Sequence, residues 1–406
     1  MMRGLINIAC CMIPLPSLRR PLRRNLQRRW YAHTNNPDII INRLTGKPVI
    51  VWFDHALGGG TEVYSKRQIK DLRQKFDIIR VQYFPATELY HMTWATNRHR
   101  VFKTPNVYQV YNLCCDLHAD EIVVNNLVAY KSTTDMLNLI RAIKQNNPYC
   151  PRVSFRGHDF HCICPSFNLI NCDGEYCGLQ YSGGCEQCWG KKRLGDNKIS
   201  DKVLKSGAIS ICSWRHAWQN FLENTADSVI VFSEKIANIF TTVYPNIKNK
   251  ISVIPHTVRK FKVARIRPHN DINIAVLGAI SQQKGAGVIR DMACHLADNV
   301  KIKIIGTMKN APENVYVYGK YKPKQLPRIM EREQIDLVFI PSVWPETFSY
   351  TTSEAISMGL PVACFDIGAP AERVSKYNRG LVLNTISPKQ NLTDIINFIK
   401  KQRQTL

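Results

Sequence analysis

Two series of short apolar segments alternate with helical patterns along this chain, and this alternation constrains the fold more than any other feature. The first series runs from Val49 to Ile254, and the second runs from Asn273 to Phe365 after a basic, proline-containing stretch at residues 259–269. Short apolar strands separated by helices form parallel sheets that are covered on both faces. The sequence therefore predicts two doubly wound, Rossmann-like α/β domains that are joined near residue 260 and face a central cleft.

The composition is that of a folded protein with a large positive charge. Of the 406 residues, 45% are hydrophobic and 21% are charged, which excludes a disordered chain. The longest uncharged stretch near the start, residues 4–18, contains two prolines and is too short to span a bilayer, so an integral membrane protein is not expected. Lys and Arg number 55 against 31 acidic residues, a net charge of +24. Such a chain is attracted to nucleic acid, an anionic membrane face or phosphorylated small molecules.

Residues 1–35 form a basic leader with seven arginines and no acidic residue. Leu18, Leu22, Leu26 and Trp30 recur every fourth residue, so on a helix they form one apolar stripe beside guanidinium groups. This pattern is typical of an amphipathic helix on an anionic membrane surface. Two other interpretations stay open: an unstructured basic leader, or a stripe that packs on the protein's own core.

Residues 341–361 carry the most informative motif. A strand candidate precedes them, and hydroxyl groups including those of Thr347 and Ser349 gather where a helix begins, at an end that favours an anion. Glu346 precedes this helix and Glu354 lies in its early turns, so both carboxylates are placed at the carboxyl end of a parallel sheet. Carboxylate oxygens accept hydrogen bonds from sugar hydroxyls, and helix-start N–H groups suit phosphate. The motif therefore indicates a nucleotide-sugar site.

This segment resembles the Glu-x7-Glu signature of the glycosyltransferase group 1 family, which are retaining enzymes of GT-B fold. The resemblance covers roughly residues 48 to 385, and several motifs in the same order are much more specific than any one of them. The other motifs are Gly-Gly-Gly-Thr-Glu at 58–62, Val-Ile-Pro-His at 253–256, Gly-Ala-Ile-Ser-Gln-Gln-Lys-Gly at 278–285 and Ile-Gly-Ala-Pro-Ala-Glu at 367–372.

The resemblance assigns roles to individual residues. It implies that Glu346 contacts hydroxyls of the donor sugar, that Glu354 contacts the nucleotide ribose, and that Lys284 neutralises the departing diphosphate. Many family members carry Arg where this chain has Ala279, so either another basic residue supplies that charge or the donor site differs. The remaining predicted donor-binding positions are Gly59, Gly60, Gly278, Thr347, Phe348 and Ser349.

A histidine in the first half completes the predicted catalytic set of His158, Glu346 and Lys284. His158 follows a strand candidate that ends at Phe155, and it resembles the family's histidine that touches the donor sugar or its phosphate. Asp159 as a general base is a less favoured role. The alternative for His158 is a core residue that is satisfied by backbone groups.

Six of the fourteen cysteines fall between Cys162 and Cys188. Thiolates on short loops suit a tetrahedral Zn²⁺ ion, with an iron–sulfur cluster as the second choice and disulfides as the alternative. Cys162 and Cys172 are substitute ligands. The predicted structural zinc ligands are Cys164, Cys177, Cys185 and Cys188.

These observations predict a domain order and a function. We expect the leader at 1–35, an acceptor domain at 36–258 with a cysteine-rich insertion at 161–200, a nucleotide-sugar domain at 259–390, and a basic helix at 391–406. The predicted function is a retaining hexosyltransferase that uses a UDP- or GDP-sugar and a glycan or lipid-linked glycan acceptor. By resemblance it serves cell-surface polysaccharide or lipopolysaccharide synthesis as a peripheral enzyme on the inner, cytoplasmic face of the cell membrane. The alternatives are a nucleic-acid-binding protein, although no nucleic-acid-binding signature is present, and an inactive GT-B scaffold.

Overall fold

The structure is a computed structural model that describes residues 10, 16–34, 36–95, 101–180, 182–193 and 210–404. Parts of the predicted leader and of the predicted cysteine-rich insertion, together with residues 405–406, lie outside the described residues. The chain divides into two compact units, and each is described by itself. The N-terminal unit comprises described residues within Met1–Phe167, Gly183–Ile230 and Val243–Ser252, and the C-terminal unit those within Asn168–Ser182, Val231–Thr242 and Val253–Leu406.

The N-terminal unit contains an eight-stranded sheet in the order β4-β3-β2-β1-β5-β6-β7-β8. Strands β2, β1, β5, β6 and β7 pair in parallel, while β3 and β4 add an antiparallel edge. All six residues of β1 are buried, as expected for a central strand that is covered on both faces. The strands are β1 (Val49–Asp54), β2 (Asp77–Phe84), β3 (Leu89–Trp94), β4 (Val101–Thr104), β5 (Glu121–Val124), β6 (Arg152–Arg156), β7 (Ser228–Val231) and β8 (Ile251–Val253).

Several helices of the first half begin at a residue whose side chain caps them. Ser132 caps α5 by accepting a hydrogen bond from the N–H of Asp135, and Ser210 caps α7 in the same way through Ser213. Helix α3 begins at Gly59, within the Gly-Gly-Gly-Thr-Glu motif at 58–62. The helices are α1 (Pro16–Thr34), α2 (Asp38–Ile41), α3 (Gly59–Leu72), α4 (Val107–Asp116), α5 (Thr133–Asn146), α6 (Cys185–Arg193), α7 (Ile211–Asn224) and α8 (Glu234–Val243).

The C-terminal unit is built on a six-stranded, all-parallel sheet in the order β11-β10-β9-β12-β13-β14. Alternate residues of β9 enter two separate cores: Ile274 and Val276 on one face, Ala275 and Leu277 on the other. Both faces of the sheet are therefore buried, as the continuous apolar runs predict. The strands are β9 (Ile272–Ile280), β10 (Val300–Met308), β11 (Tyr316–Val317), β12 (Leu337–Ile340), β13 (Val362–Phe365) and β14 (Gly380–Leu383).

Five helices cover this second sheet. The last of them packs Leu392, Ile395 and Ile399 against one of the two cores, so it is an integral part of the C-terminal unit. Together the two units confirm the predicted fold class of two Rossmann-like parallel-sheet domains. The helices are α9 (Ala286–Ala293), α10 (Leu326–Arg332), α11 (Tyr350–Ser357), α12 (Gly368–Ser375) and α13 (Pro388–Gln404).

Helix α1 is attached to the N-terminal unit through two of its arginines. Arg24 and Arg28 both pair with Glu88, at 3.0 and 2.7 Å, and this fixes the helix on the N-terminal unit. Leu18 is 59% exposed and Leu22 is 42% exposed, and Trp30 is also exposed. The apolar stripe of α1 is thus largely solvent-facing. Among the described helices, none combines the length and the hydropathy that crossing a bilayer requires.

Candidate active site

Glycines at the end of β9, in the loop that follows it and in the neighbouring strand β10 stand where another residue would cause strain. Gly285 has φ +85°, and a Cβ atom there would lie 2.1 Å from the carbonyl oxygen of Pro341. Gly278 has φ +102°, and a Cβ atom on Gly306 would lie 1.9 Å from the Gly278 carbonyl oxygen. A glycine loop between a strand and a helix start allows close backbone approach, here of the loop to the segment after β12. Lys284 projects from this loop.

Lys284 and Glu346, to which the resemblance assigns parts of the same donor, lie close together. The Lys284 Nζ atom lies 3.5 Å from Oε1 of Glu346. The carboxylate side chain is 5% exposed, whereas the lysine side chain is 36% exposed. The hydroxyl group of Ser342 also donates to Glu346 Oε1. A buried carboxylate with two donors at one oxygen is held in a fixed orientation at the end of the parallel sheet.

The backbone around Glu346 is held by the start of α12. The N–H of Ala369 donates to the Glu346 carbonyl oxygen at 2.9 Å. Gly368 has φ +64°, and a Cβ atom there would lie 2.7 Å from Cα of Pro345 and 2.8 Å from the Glu346 nitrogen. The glycine of the motif at 367–372 therefore allows helix α12 to pack closely against the backbone at Glu346.

Helix α11 begins with a side-chain cap. Ser349 is 1% exposed, and its Oγ accepts from the N–H of Thr352 at 3.4 Å. Its hydroxyl group therefore completes the helix start. Thr347 is also buried, and Glu354 lies half-buried in the second turn of the helix. Burial, with a smaller contribution from Glu354, raises the pKa of Tyr321 to about 12, so Glu354 lies near that phenol.

Phe348 is stacked between two residues that the sequence analysis did not assign to the site. The Arg373 guanidinium lies 3.8 Å from its ring centroid, and the His256 ring stacks at 4.2 Å. Arg373 also donates to the Ser349 carbonyl oxygen and to the Ser353 hydroxyl, at 3.1 and 2.8 Å. Burial lowers the pKa of Arg373 to about 10. This stack holds the loop between Glu346 and α11.

The predicted residues of the N-terminal unit lie at the ends of its strands. His158 follows β6, is buried, and its Nε2 lies 2.9 Å from Oδ1 of Asn125, which follows β5. Gly59 has φ +79° and, like Gly60, is exposed at the start of α3. Asp159 accepts from Asn126 at 2.7 Å, and burial raises the pKa of its carboxyl group. The roles of His158 and of the two glycines stay predictions.

The structure does not support the predicted zinc site. Among the described residues, no group of three or more His, Cys, Asp or Glu side chains is arranged to hold a metal ion. Cys164 Sγ lies 3.1 Å from the Ser166 hydroxyl, and Cys185 Sγ accepts from Arg215 at 3.4 Å. Burial raises the pKa of Cys162 and so opposes the thiolate that a metal requires. The remaining predicted ligands are Cys177 and Cys188, with Cys172 as the other substitute.

Three solved structures resemble this chain over most of its length. Anabaena HepE in complex with UDP-glucose is 16% identical, with 88% of this chain and 90% of that chain covered and a TM-score of 0.55. The lipopolysaccharide outer core galactosyltransferase WaaB in its apo form is 11% identical, with 87% and 91% covered and a TM-score of 0.54. Sucrose-phosphate synthase from Thermosynechococcus elongatus is 11% identical, with 87% and 90% covered and a TM-score of 0.54.

Similarity at this level of identity shows the fold. The comparison with curated proteins gives no match. Residues 258–405, which contain Lys284, Glu346 and Glu354, match the family model described as glycosyl transferases group 1. The chain thus has the GT-B fold of two Rossmann-like domains, and its residues 258–405 are similar to the glycosyl transferases group 1 family.

Proposed function

We propose that the protein is a retaining hexosyltransferase that moves a sugar from a nucleoside-diphosphate donor to a glycan or lipid-linked glycan. The observation that carries this proposal is the buried Glu346 carboxylate, oriented by Lys284 and Ser342 beside the start of α11. A buried carboxylate is costly unless it is paired and hydrogen-bonded. The Glu346 carboxylate can accept hydrogen bonds from hydroxyl groups, and the neighbouring lysine and helix start can bind a diphosphate.

Each group at this site has a proposed task. Glu346 accepts hydrogen bonds from hydroxyls of the donor sugar, and Glu354 accepts from the ribose of the nucleotide. Lys284 and the N–H groups near Phe348 and Ser349 stabilise the charge that develops on the diphosphate as it leaves. Thr347 and the Gly278 loop complete the donor site, and Gly59 and Gly60 approach the donor phosphate or the acceptor.

The proposed reaction retains configuration at the anomeric carbon. The bond between this carbon and the diphosphate oxygen breaks, and a bond to the acceptor oxygen forms on the same face of the sugar. The departing diphosphate accepts the proton of the acceptor hydroxyl, so the reaction needs no protein base. His158 hydrogen-bonds the donor sugar in this scheme.

The solved relatives support the donor and acceptor classes. HepE binds UDP-glucose, which favours a UDP-sugar as the donor. WaaB is a lipopolysaccharide outer core galactosyltransferase, which supports a role in cell-surface glycan synthesis. The net charge of +24 favours acceptors that are presented on an anionic surface.

A donor screen tests the proposal. Purified protein is incubated with UDP- and GDP-sugars, and release of the nucleoside diphosphate is measured with and without glycan acceptors. We expect turnover with at least one donor, and we expect Glu346→Gln to abolish it. Glu333→Gln is the matched control, because Glu333 is also a partly buried glutamate that is paired to a lysine in the same unit. Loss of activity in both variants, or turnover with no donor in the wild type, contradicts the proposal.

We also propose that α1 binds the anionic inner face of the cell membrane. Leu18, Leu22 and Trp30 are exposed on this helix. Arg24 and Arg28 of the same helix form ion pairs with Glu88. Exposed apolar side chains flanked by basic residues suit insertion at the level of anionic headgroups.

Vesicle sedimentation tests the membrane proposal. We expect binding to vesicles of phosphatidylglycerol and phosphatidylcholine, little binding to phosphatidylcholine alone, and weaker binding in high salt. Leu22→Asp should reduce binding several-fold. Tyr108→Asp is the control, since Tyr108 is 74% exposed on α4 and lies outside the stripe. Equal effects of the two substitutions would contradict the assignment of α1 as the membrane contact.

A further inference from the structure

Asp54, at the end of β1, is fully buried and surrounded by hydrogen-bond donors. Its Oδ2 accepts from the Ser65 hydroxyl at 2.7 Å and from the Arg80 guanidinium at 2.6 Å. Its Oδ1 accepts from the N–H of His55 at 2.9 Å and from Nδ2 of Asn125 at 3.0 Å. Both oxygens therefore act as acceptors, and the side chain is held from four directions.

This network determines which way the Asn125 amide points. Because the oxygens of Asp54 accept, the NH₂ group of Asn125 must face them. Its carbonyl oxygen, Oδ1, is then the atom that lies 2.9 Å from Nε2 of His158. A carbonyl oxygen only accepts, so the Nε2 atom of His158 must carry a hydrogen. The His158 ring is also packed edge-on against the Tyr64 ring, with centroids 4.7 Å apart.

We propose that Asp54 and Asn125 are positioning residues that hold His158 in its Nε2–H tautomer, so that Nδ1 is the hydrogen-bond acceptor of the ring. This inference rests on the proposed function, in which His158 contacts the donor. A neutral imidazole that presents an acceptor recognises a group that donates a hydrogen bond. In this tautomer the Nδ1 atom of His158 is suited to the proposed contact with a hydroxyl group of the donor sugar.

The tautomer can be measured directly. In protein labelled with ¹⁵N-histidine, a two-bond ¹H–¹⁵N correlation spectrum distinguishes the two tautomers, and His158→Gln identifies the His158 signal. At neutral pH we expect a protonated Nε2 and an unprotonated Nδ1. An Nδ1–H tautomer, or a mixture of the two, overturns the proposal without any further variant.

Asp54→Asn tests whether Asp54 sets the tautomer. The charged Arg80 guanidinium is a stronger donor than the neutral N–H of His55, so the carbonyl oxygen of the new amide stays with Arg80, and its NH₂ group then faces Asn125 and the His55 N–H. Asn125 must turn its carbonyl towards that NH₂ group and its own NH₂ group towards His158. We therefore expect His158 to change to the Nδ1–H tautomer.

The matched control is Asp77→Asn, on the neighbouring strand β2. Asp77 is also a buried carboxylate, and it accepts from the Thr45 backbone and hydroxyl groups. This substitution should leave the His158 signals unchanged. An unchanged tautomer in Asp54→Asn overturns the proposal, as does an equal change in both variants.

Kinetics provide the second readout. A histidine in the wrong tautomer loses its hydrogen bond to the donor, so kcat of Asp54→Asn should fall by at least about tenfold. Binding of the free nucleotide, measured by its effect on the melting temperature, should be unchanged. If no nucleotide binds to the wild type, the proposed function fails while the tautomer assignment stands. If nucleotide binds and kcat of Asp54→Asn is unaffected, the positioning role fails alone.

Discussion

Replacing Lys284 by Met removes the positive charge beside Glu346 while it keeps most of the aliphatic side chain. An ammonium group about 4 Å from a phosphate oxygen is worth about 4 kcal/mol at an effective dielectric constant of about 20. Because the Lys284 side chain is 36% exposed, solvent screens part of this attraction. We therefore expect a loss of about 3 kcal/mol in the transition state, which is about a hundredfold in kcat. Losing one donor to a developing anion has a comparable effect in other enzymes, about 10²–10³ in kcat.

The assay is release of the nucleoside diphosphate from the donor found in the screen, with kcat and KM measured separately. Lys303→Met is the control, because its Nζ lies 3.5 Å from a Glu333 carboxylate oxygen, the same separation as in the Lys284–Glu346 pair. It should retain wild-type kinetics. A kcat of Lys284→Met within about threefold of wild type would refute the assignment of Lys284 to the leaving diphosphate.

Three further predictions concern the residues that support the site and the core. Gly285→Ala should lower stability by at least about 2 kcal/mol in urea unfolding, since it adds left-handed backbone strain and a collision with Pro341, whereas Gly287→Ala should be neutral or stabilising. Arg373→Met should cost about 2 kcal/mol through lost hydrogen bonds and ring stacking, and an unchanged urea midpoint would contradict this. Burial lowers the pKa of His161 to about 3, whereas the pKa in the unfolded chain is near 6.5. The contribution of His161 to the free energy of unfolding is therefore present above pH 6.5 and is lost as the pH falls towards 3. His161→Gln should flatten the dependence of the free energy of unfolding on pH over this range.

The strands that alternate with helices were predictable because they are continuous apolar runs. The two predicted series begin at Val49 and Asn273, at or within one residue of the first residues of β1 and β9. The second series ends at Phe365, the last residue of β13, so it leaves out the edge strand β14, whose first three residues are only partly buried. The edge strands β3 and β4 contain polar and half-buried residues and lack a continuous apolar run. Edge position in the sheet is a tertiary property that local hydrophobicity does not report.

Some residues of the candidate site could likewise be predicted from the sequence, and others could not. The meeting of Lys284 with Glu346 was predictable, because both follow strands whose carboxyl ends lie at one edge of a parallel sheet. The role of Arg373 was not predictable, because nothing in the local sequence indicates that an arginine on this short helix stacks on Phe348. The zinc prediction has no support among the described residues. Cysteine spacing reports neither burial nor the direction of the thiol groups, and here Ser166 and Arg215 contact two of the predicted ligands.

In the proposed function, the C-terminal unit binds a nucleoside diphosphate at Lys284 and Glu346. The most direct test is the melting temperature of the purified protein with UDP, with GDP and without nucleotide. At a nucleotide concentration about a hundred times the Kd, binding stabilises the folded protein by about 2.7 kcal/mol, which raises the melting temperature of a chain of this length by about 3 °C. We expect this rise with UDP or GDP for the wild type and a much smaller one for Lys284→Met. No rise with either nucleotide would contradict it.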